Sequence, residues 1–135
     1  TLPDHLAEAA TEKMHEYVRK EVWGYAKDEN LSIEDLLVEK YQGIRPAVGY
    51  PSLPDQSVNF LLDELLDMKR IGISLTENGA MYPHASVCGL MFSHPASEYF
   101  SVGKIGEDQL EDYARRRNLS EAEAKKILNK NISCS

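Results

Sequence analysis

Residues 43 to 55 read Gly-Ile-Arg-Pro-Ala-Val-Gly-Tyr-Pro-Ser-Leu-Pro-Asp, and no other stretch of the chain restricts its backbone as strongly. Pro46, Pro51 and Pro54 each fix their own φ and push the preceding residue toward extended geometry, so no helix runs through the segment. The chain must therefore be assembled as separate elements on either side of a stiff, extended loop. That loop holds one guanidinium, Arg45, and one phenol, Tyr50, with little conformational entropy left to lose on binding a ligand. The same pattern allows Arg45 to pair with a surface carboxylate while the prolines merely shape a turn. Composition alone leaves both readings open.

Upstream, Leu6, Ala10, Met14, Tyr17, Val18 and Val22 recur at helical spacing with Gly24 after them, which predicts an amphipathic helix over residues 4 to 23. Ser32 before Ile33-Glu34-Asp35 is an acidic variant of the capping box, starting a short helix that runs to about Lys40 and is closed by Gly43. Asp55 can cap a third helix, in which Phe60, Leu61, Leu62, Leu65 and Leu66 form a broad apolar stripe. Ile71, Ile73 and Leu75 alternate with small residues as in a half-buried strand, and Ala85 to Phe92 is a denser apolar run. A turn at residues 93–97 then leads to a further strand from Tyr99 to Ile105, so an antiparallel hairpin is expected over residues 85 to 105. Two closing helices are predicted at about 107–117 and 121–129, with Asn118 as a left-handed C-cap and Ser120 with Glu123 as a capping box. The expected fold is α+β: an antiparallel sheet with a hairpin, flanked by helices at both termini, in a single domain over residues 1–135. Leu61, Leu65, Ile73, Val87 and Leu90 are expected in its core.

Composition excludes several functions. The formal charge of −7 opposes a phosphate backbone, so nucleic acid is not an expected partner. No run of about 18 apolar residues is present to cross a membrane, and Thr1-Leu2-Pro3-Asp4-His5 lacks the order of a signal peptide, so a cytoplasmic chain without a membrane partner is expected. Cys88 and Cys134 are too few and too far apart for a disulfide framework and are expected to be free thiols. Residues 113–135 carry a net +4, which leaves −11 on the remainder. Such a basic end is either a solvated helical face or a docking surface for an acidic protein.

The glycine-rich turn of Rossmann-type nucleotide sites is missing, as is any Gly-x-x-x-x-Gly-Lys loop. His5, His15, His84 and His94 show no metal-ligand spacing and are expected at the surface or in turns, so no metal is assigned. Tyr99 and Phe100 are adjacent on a predicted strand, which sends one ring inward and leaves the other to a groove or solvent. Glu8 lies opposite the Leu6 stripe, where periodicity leaves it in water. Ser93, His94 and Glu98 are close enough for an acid–base hydrolase, though three polar residues in a turn are ordinarily only a turn.

Tyr25 aside, Trp23-Gly24-Tyr25, Tyr41-Gln42-Gly43-Ile44-Arg45-Pro46-Ala47-Val48-Gly49-Tyr50-Pro51, Leu75-Thr76-Glu77, Ala85-Ser86-Val87, Phe92-Ser93-His94-Pro95, Tyr99-Phe100, Val102-Gly103-Lys104-Ile105 and Glu111-Asp112-Tyr113-Ala114-Arg115-Arg116 form a set of motifs in this order. In that order and spacing, from about residue 6 to residue 129, the chain closely resembles the activation domain of cobalamin-dependent methionine synthase. It departs from the family's usual His-Thr-Glu-Lys after Pro54-Asp55, where Gln56-Ser57-Val58-Asn59 stands.

The resemblance implies the C-terminal portion of a module that binds S-adenosylmethionine and presents its methyl group to cobalamin carried on a neighbouring domain, reactivating oxidised cofactor. It implies a flavodoxin or similar reductase as electron donor, and membership of a cobalamin-dependent methyltransferase of which this fragment is not itself the catalyst. By position in the matching motifs, Glu8, Arg45, Tyr50, Tyr99 and Phe100 take the places of ligand-binding residues, and no catalytic residue is implied. A guanidinium suits the methionyl carboxylate, a carboxylate the amino group and an aromatic face the sulfonium. The alternative is a truncated homologue that serves only as a protein-interaction domain for a corrinoid protein.

Overall fold

A computed structural model of the chain describes residues 1–132; Cys134 lies outside them. Helix α1 spans Leu2–Tyr17, opened by Thr1 and Asp4 as a capping box, and continues through a wide π turn at Val18–Val22 until Gly24 takes φ 72°. Helix α2 spans Ile33–Leu37 with the expected Ser32 and Asp35 capping box. It stops short of Lys40 because Glu39 turns left-handed, at φ 55°. Helix α3 spans Val58–Leu66 behind the N-cap Ser57, and Asp55 braces that cap by accepting from the Ser57 N–H and hydroxyl at 2.8 and 2.6 Å. Strands β1, Ser74–Leu75, and β2, Met81–Tyr82, form an antiparallel hairpin. Helices α4, Glu107–Arg117, and α5, Glu121–Ile127, close the described chain, with Asn118 left-handed and Ser120 and Glu123 in the predicted capping box. The fold is α+β, with an antiparallel hairpin between helices at both ends.

The hairpin expected over residues 85–105 does not form. Residues 88–92 pair instead with the proline segment: Ile44 and Phe92 exchange bonds of 3.0 and 2.9 Å, Leu90 N–H donates to the Pro46 carbonyl at 3.1 Å, and Val48 N–H donates to that of Cys88 at 2.9 Å. Pro46 has no N–H to return to Leu90, so the middle pair keeps one bond and the ladder stays a set of bridges. Close approach is bought with glycine: a Cβ at Gly43 would lie 2.1 Å from the Phe92 carbonyl oxygen, and one at Gly89 2.5 Å from that of Pro46. The expected strand from Tyr99 to Ile105 is irregular chain, held by Val102 N–H on the Pro51 carbonyl and Ile105 N–H on that of Asn131, at 3.0 and 2.7 Å.

The apolar core also sits elsewhere than the stripes suggest. It lies between α4 and α5, where Leu110, Ala114, Ala124 and Leu128 are buried under Ile105, Tyr113, Ile127 and Ile132. Of the residues expected in the core, Ile73 and Leu90 are half-buried, but Leu61, Leu65 and Val87 are 46%, 81% and 40% exposed. The buried residue of α3 is Asn59, whose Nδ2 donates to the Gly79 carbonyl at 2.9 Å. Helix α1 is likewise reversed: Leu6, Met14, Tyr17 and Val22 are exposed, while His15 and Arg19 are fully buried.

Candidate functional site

The side chains that α1 turns inward meet the proline segment at Arg45. The Arg45 backbone N–H donates to Tyr99 Oη at 2.8 Å, tying it to the 99–105 segment. Its Nη1 donates to Tyr41 Oη at 2.7 Å and lies 3.2 Å from both Glu12 Oε1 and His15 Nδ1; its Nη2 donates to Glu12 Oε2. Glu12 thus takes the end-on fork of the guanidinium. Among the described residues no hydrogen bond uses Arg45 Nε, so the side edge remains free to hold a second carboxylate.

Behind Arg45 stands a second arginine. Arg19 lies over the Tyr41 ring, 4.3 Å from its centroid, and donates from Nε and Nη2 to Glu29 at 2.8 and 2.7 Å. Between the two arginines, His15 packs edge-on against Tyr41 with centroids 5.0 Å apart. Burial first, and then the charges of Arg19 and Arg45, push the His15 pKa down to about 4, so the ring is neutral at pH 7. Burial likewise pushes Tyr41 up to about 12, which keeps its hydroxyl protonated. Since a guanidinium only donates, Nδ1 must accept and the His15 proton is assigned to Nε2, a buried atom with no partner among the described residues.

In front of Arg45 lies a cavity of about 200 Å³. Glu8 and Thr11 of α1, Arg45, Val48 and Tyr50 of the proline segment, and Met81 with Ser86–Cys88 line this open hollow. Tyr50 also borders a larger groove, about 860 Å³, running past Phe60 to Lys126 and Lys130. That groove is larger but contains neither Arg45 nor Glu8, so we place the candidate site in the smaller cavity, which both residues line.

Residues 1–118 match the family model of the vitamin B12 dependent methionine synthase activation domain. The chain belongs to that family. It is also similar to a solved structure of the MetH reactivation domain bound to AdoHcy: the two are 51% identical, superpose with a TM-score of 0.93, and share 98% of this chain and 41% of the other. The chain thus spans 41% of the length of that related chain.

Within this activation-domain framework, Glu8, Arg45 and Tyr50 line one cavity, and Tyr99 reaches Arg45 through its hydroxyl. Phe100 does not join them; it is exposed and lines a separate hollow with Ile44, Pro46 and Phe92. The expected inward and outward alternation of Tyr99 and Phe100 fails because no strand forms there. Glu8 is exposed as periodicity requires, but it stands at the cavity because the polar face of α1 is the inner one. Three histidines are exposed as expected, whereas His15 is buried. His94 Nδ1 accepts from Ala96 N–H at 3.1 Å, the bond of a turn rather than of a hydrolase. Sequence reasoning missed Glu12, His15, Arg19 and Tyr41. The signal was present: Glu8, Glu12, His15 and Arg19 recur at helical spacing and make a polar stripe of the same period as the apolar one. Among the described residues no group of three His, Cys, Asp or Glu could hold a metal ion, and no helix is long and apolar enough to cross a membrane.

Proposed function

We propose that this chain holds the amino-acid end of S-adenosylmethionine during reductive methylation of cobalamin, as the C-terminal portion of the activation domain of a cytoplasmic methionine synthase. The observation that carries this reading is the convergence of Glu8, Arg45 and Tyr50 on one cavity, with the Nε edge of Arg45 unused. The residue types fit the ligand. The guanidinium edge takes the methionyl carboxylate, Glu8 takes the ammonium group, and the Tyr50 ring offers a π face to the sulfonium. A cavity of about 200 Å³ falls below the roughly 300–1,000 Å³ usual for ligand sites, so it suits one end of the molecule, and the remainder lies against surface beyond it. That the related domain is bound to AdoHcy supports the same ligand class.

S-adenosylmethionine supplies the methyl group, and cobalamin carried on a neighbouring domain receives it. The part of this chain is binding and orientation, with no protein nucleophile and no catalytic residue of its own. A flavodoxin or similar reductase supplies the electron. In the basic C-terminal segment Arg115 and Arg116 pair with Asp112, Arg117 with Asp55, and Lys125 with Glu121, whereas Lys126 and Lys130 form no ion pair among the described residues. Those two lysines are the cations the segment offers to an acidic donor.

Calorimetric titration with S-adenosylmethionine tests the reading. Arg45→Ala is expected to weaken binding by on the order of 30-fold or more, the scale of losing a charge-assisted pair in a partly buried site. Unchanged affinity in a variant that melts like the wild type would remove Arg45 from the site.

A further inference from the structure

A guanidinium at the end of a flexible side chain needs its orientation fixed before it can present one chosen edge to a ligand. We infer that His15, together with Tyr41, is a positioning residue for Arg45: the two neutral acceptors and Glu12 hold the Nη end of the guanidinium from behind and turn its Nε edge to the cavity. The inference rests on the ligand reading above and adds to it the residues that set the arginine.

The geometry supports this on three counts. The two hydrogens of Arg45 Nη1 are shared among Tyr41 Oη at 2.7 Å, His15 Nδ1 at 3.2 Å and Glu12 Oε1 at 3.2 Å, so none is left over for a ligand. His15 is fully buried, yet its Nε2–H finds no partner among the described residues. An aliphatic residue of similar size avoids the cost of burying that N–H, and the contact with Arg45 is the hydrogen bond this ring makes in exchange. The groups beside the ring are Arg19 from the turn that continues its own helix and Tyr41 and Arg45 from the segment packed against it, with Glu12 on the far side of their contact as a partner of Arg45. With two arginines beside it, the ring stays an acceptor at neutral pH.

The test combines binding with a readout that needs no ligand. In S-adenosylmethionine titrations His15→Leu, which keeps volume but removes the acceptor, is expected to weaken binding on the order of 10-fold, the scale of one hydrogen bond to a charged group. His15→Gln, which restores an acceptor, recovers most of the loss. Tyr41→Phe keeps the ring, removes the hydroxyl, and weakens binding several-fold, so the inference stays exposed to failure if His15→Leu does not fold. In parallel, nitrogen NMR of the Arg45 guanidinium is expected to show separate, slowly exchanging Nη signals in the wild type and averaged ones in His15→Leu and Tyr41→Phe. Wild-type affinity in His15→Leu, or His15→Gln binding as weakly as His15→Leu, would overturn the positioning role. If the wild type binds nothing while the guanidinium signals still collapse in the variants, the ligand reading falls and the positioning of Arg45 stands.

Discussion

The two ends of the molecule use helices in opposite ways. At the C-terminal end α4 and α5 turn Leu110, Ala114, Ala124 and Leu128 toward each other, and most of their charged residues face outward, Arg117 excepted, which pairs with the buried Asp55. At the N-terminal end α1 exposes Leu6, Met14, Tyr17 and Val22 and buries His15 and Arg19. One end is held by removal of apolar surface from water. The other is held by a polar network in which each charge is matched, Arg19 by Glu29 and Arg45 by Glu12. An apolar core tolerates graded loss, whereas a buried pair such as Arg19 and Glu29 fails when one partner is removed, because the charge left behind has no solvent.

Breaking that contrast begins with the buried pair. Glu29→Gln strands the Arg19 charge where it is fully buried and is expected to cost about 3–5 kcal/mol in chemical denaturation. Replacing both partners, Arg19→Met with Glu29→Leu, should recover most of that stability. At the opposite end, Leu110→Ala removes a side chain that is 1% exposed and should cost about 2–5 kcal/mol.

The pH dependence sharpens the distinction further. The His15 pKa falls from 6.5 in the open chain to about 4 in the fold, so the unfolded state takes up a proton before the folded one does. The stability contributed by the neutral ring is complete above pH 6.5 and drains as pH falls toward 4, by about 3 kcal/mol in all. Denaturation midpoints measured across that window should drop in the wild type, and His15→Phe should lose this component of the drop. The smallest effect is expected at Leu65, which is 81% exposed: Leu65→Ala should change stability by less than about 0.5 kcal/mol. A cost above about 2 kcal/mol there would mean that the apolar face of α3 is covered.

Much of this was legible in the chain. Local signals fixed the caps at Ser32, Ser120 and Asn118 and the stop at Gly24, because each depends on a few neighbouring residues. The Arg45 to Tyr50 segment was legible as a platform because proline stiffness is also local. Periodicity told which residues of α1 share a face but not which face turns inward, and a stripe of His, Arg and Glu reads as solvent-facing until buried partners are known. Glu29 and Tyr41, which make that burial tolerable, come from other parts of the chain. Strand pairing failed for a related reason: residues 88–92 find their partner some 44 positions upstream, across a proline that a sequence reading counts against a sheet.

The central claim is that Arg45 acts as an oriented fork and not merely as a positive charge. Its most direct test is S-adenosylmethionine affinity in Arg45→Lys, compared by calorimetry with wild type and with melting curves as the fold control. Lysine keeps the charge but cannot be gripped at one edge while offering two parallel donors from the other. The account predicts that Arg45→Lys binds markedly more weakly than wild type, by on the order of 10-fold or more, while melting at a similar temperature. Wild-type affinity in Arg45→Lys would contradict it, leaving a site that reads charge alone and an elaborate polar network with no part in binding.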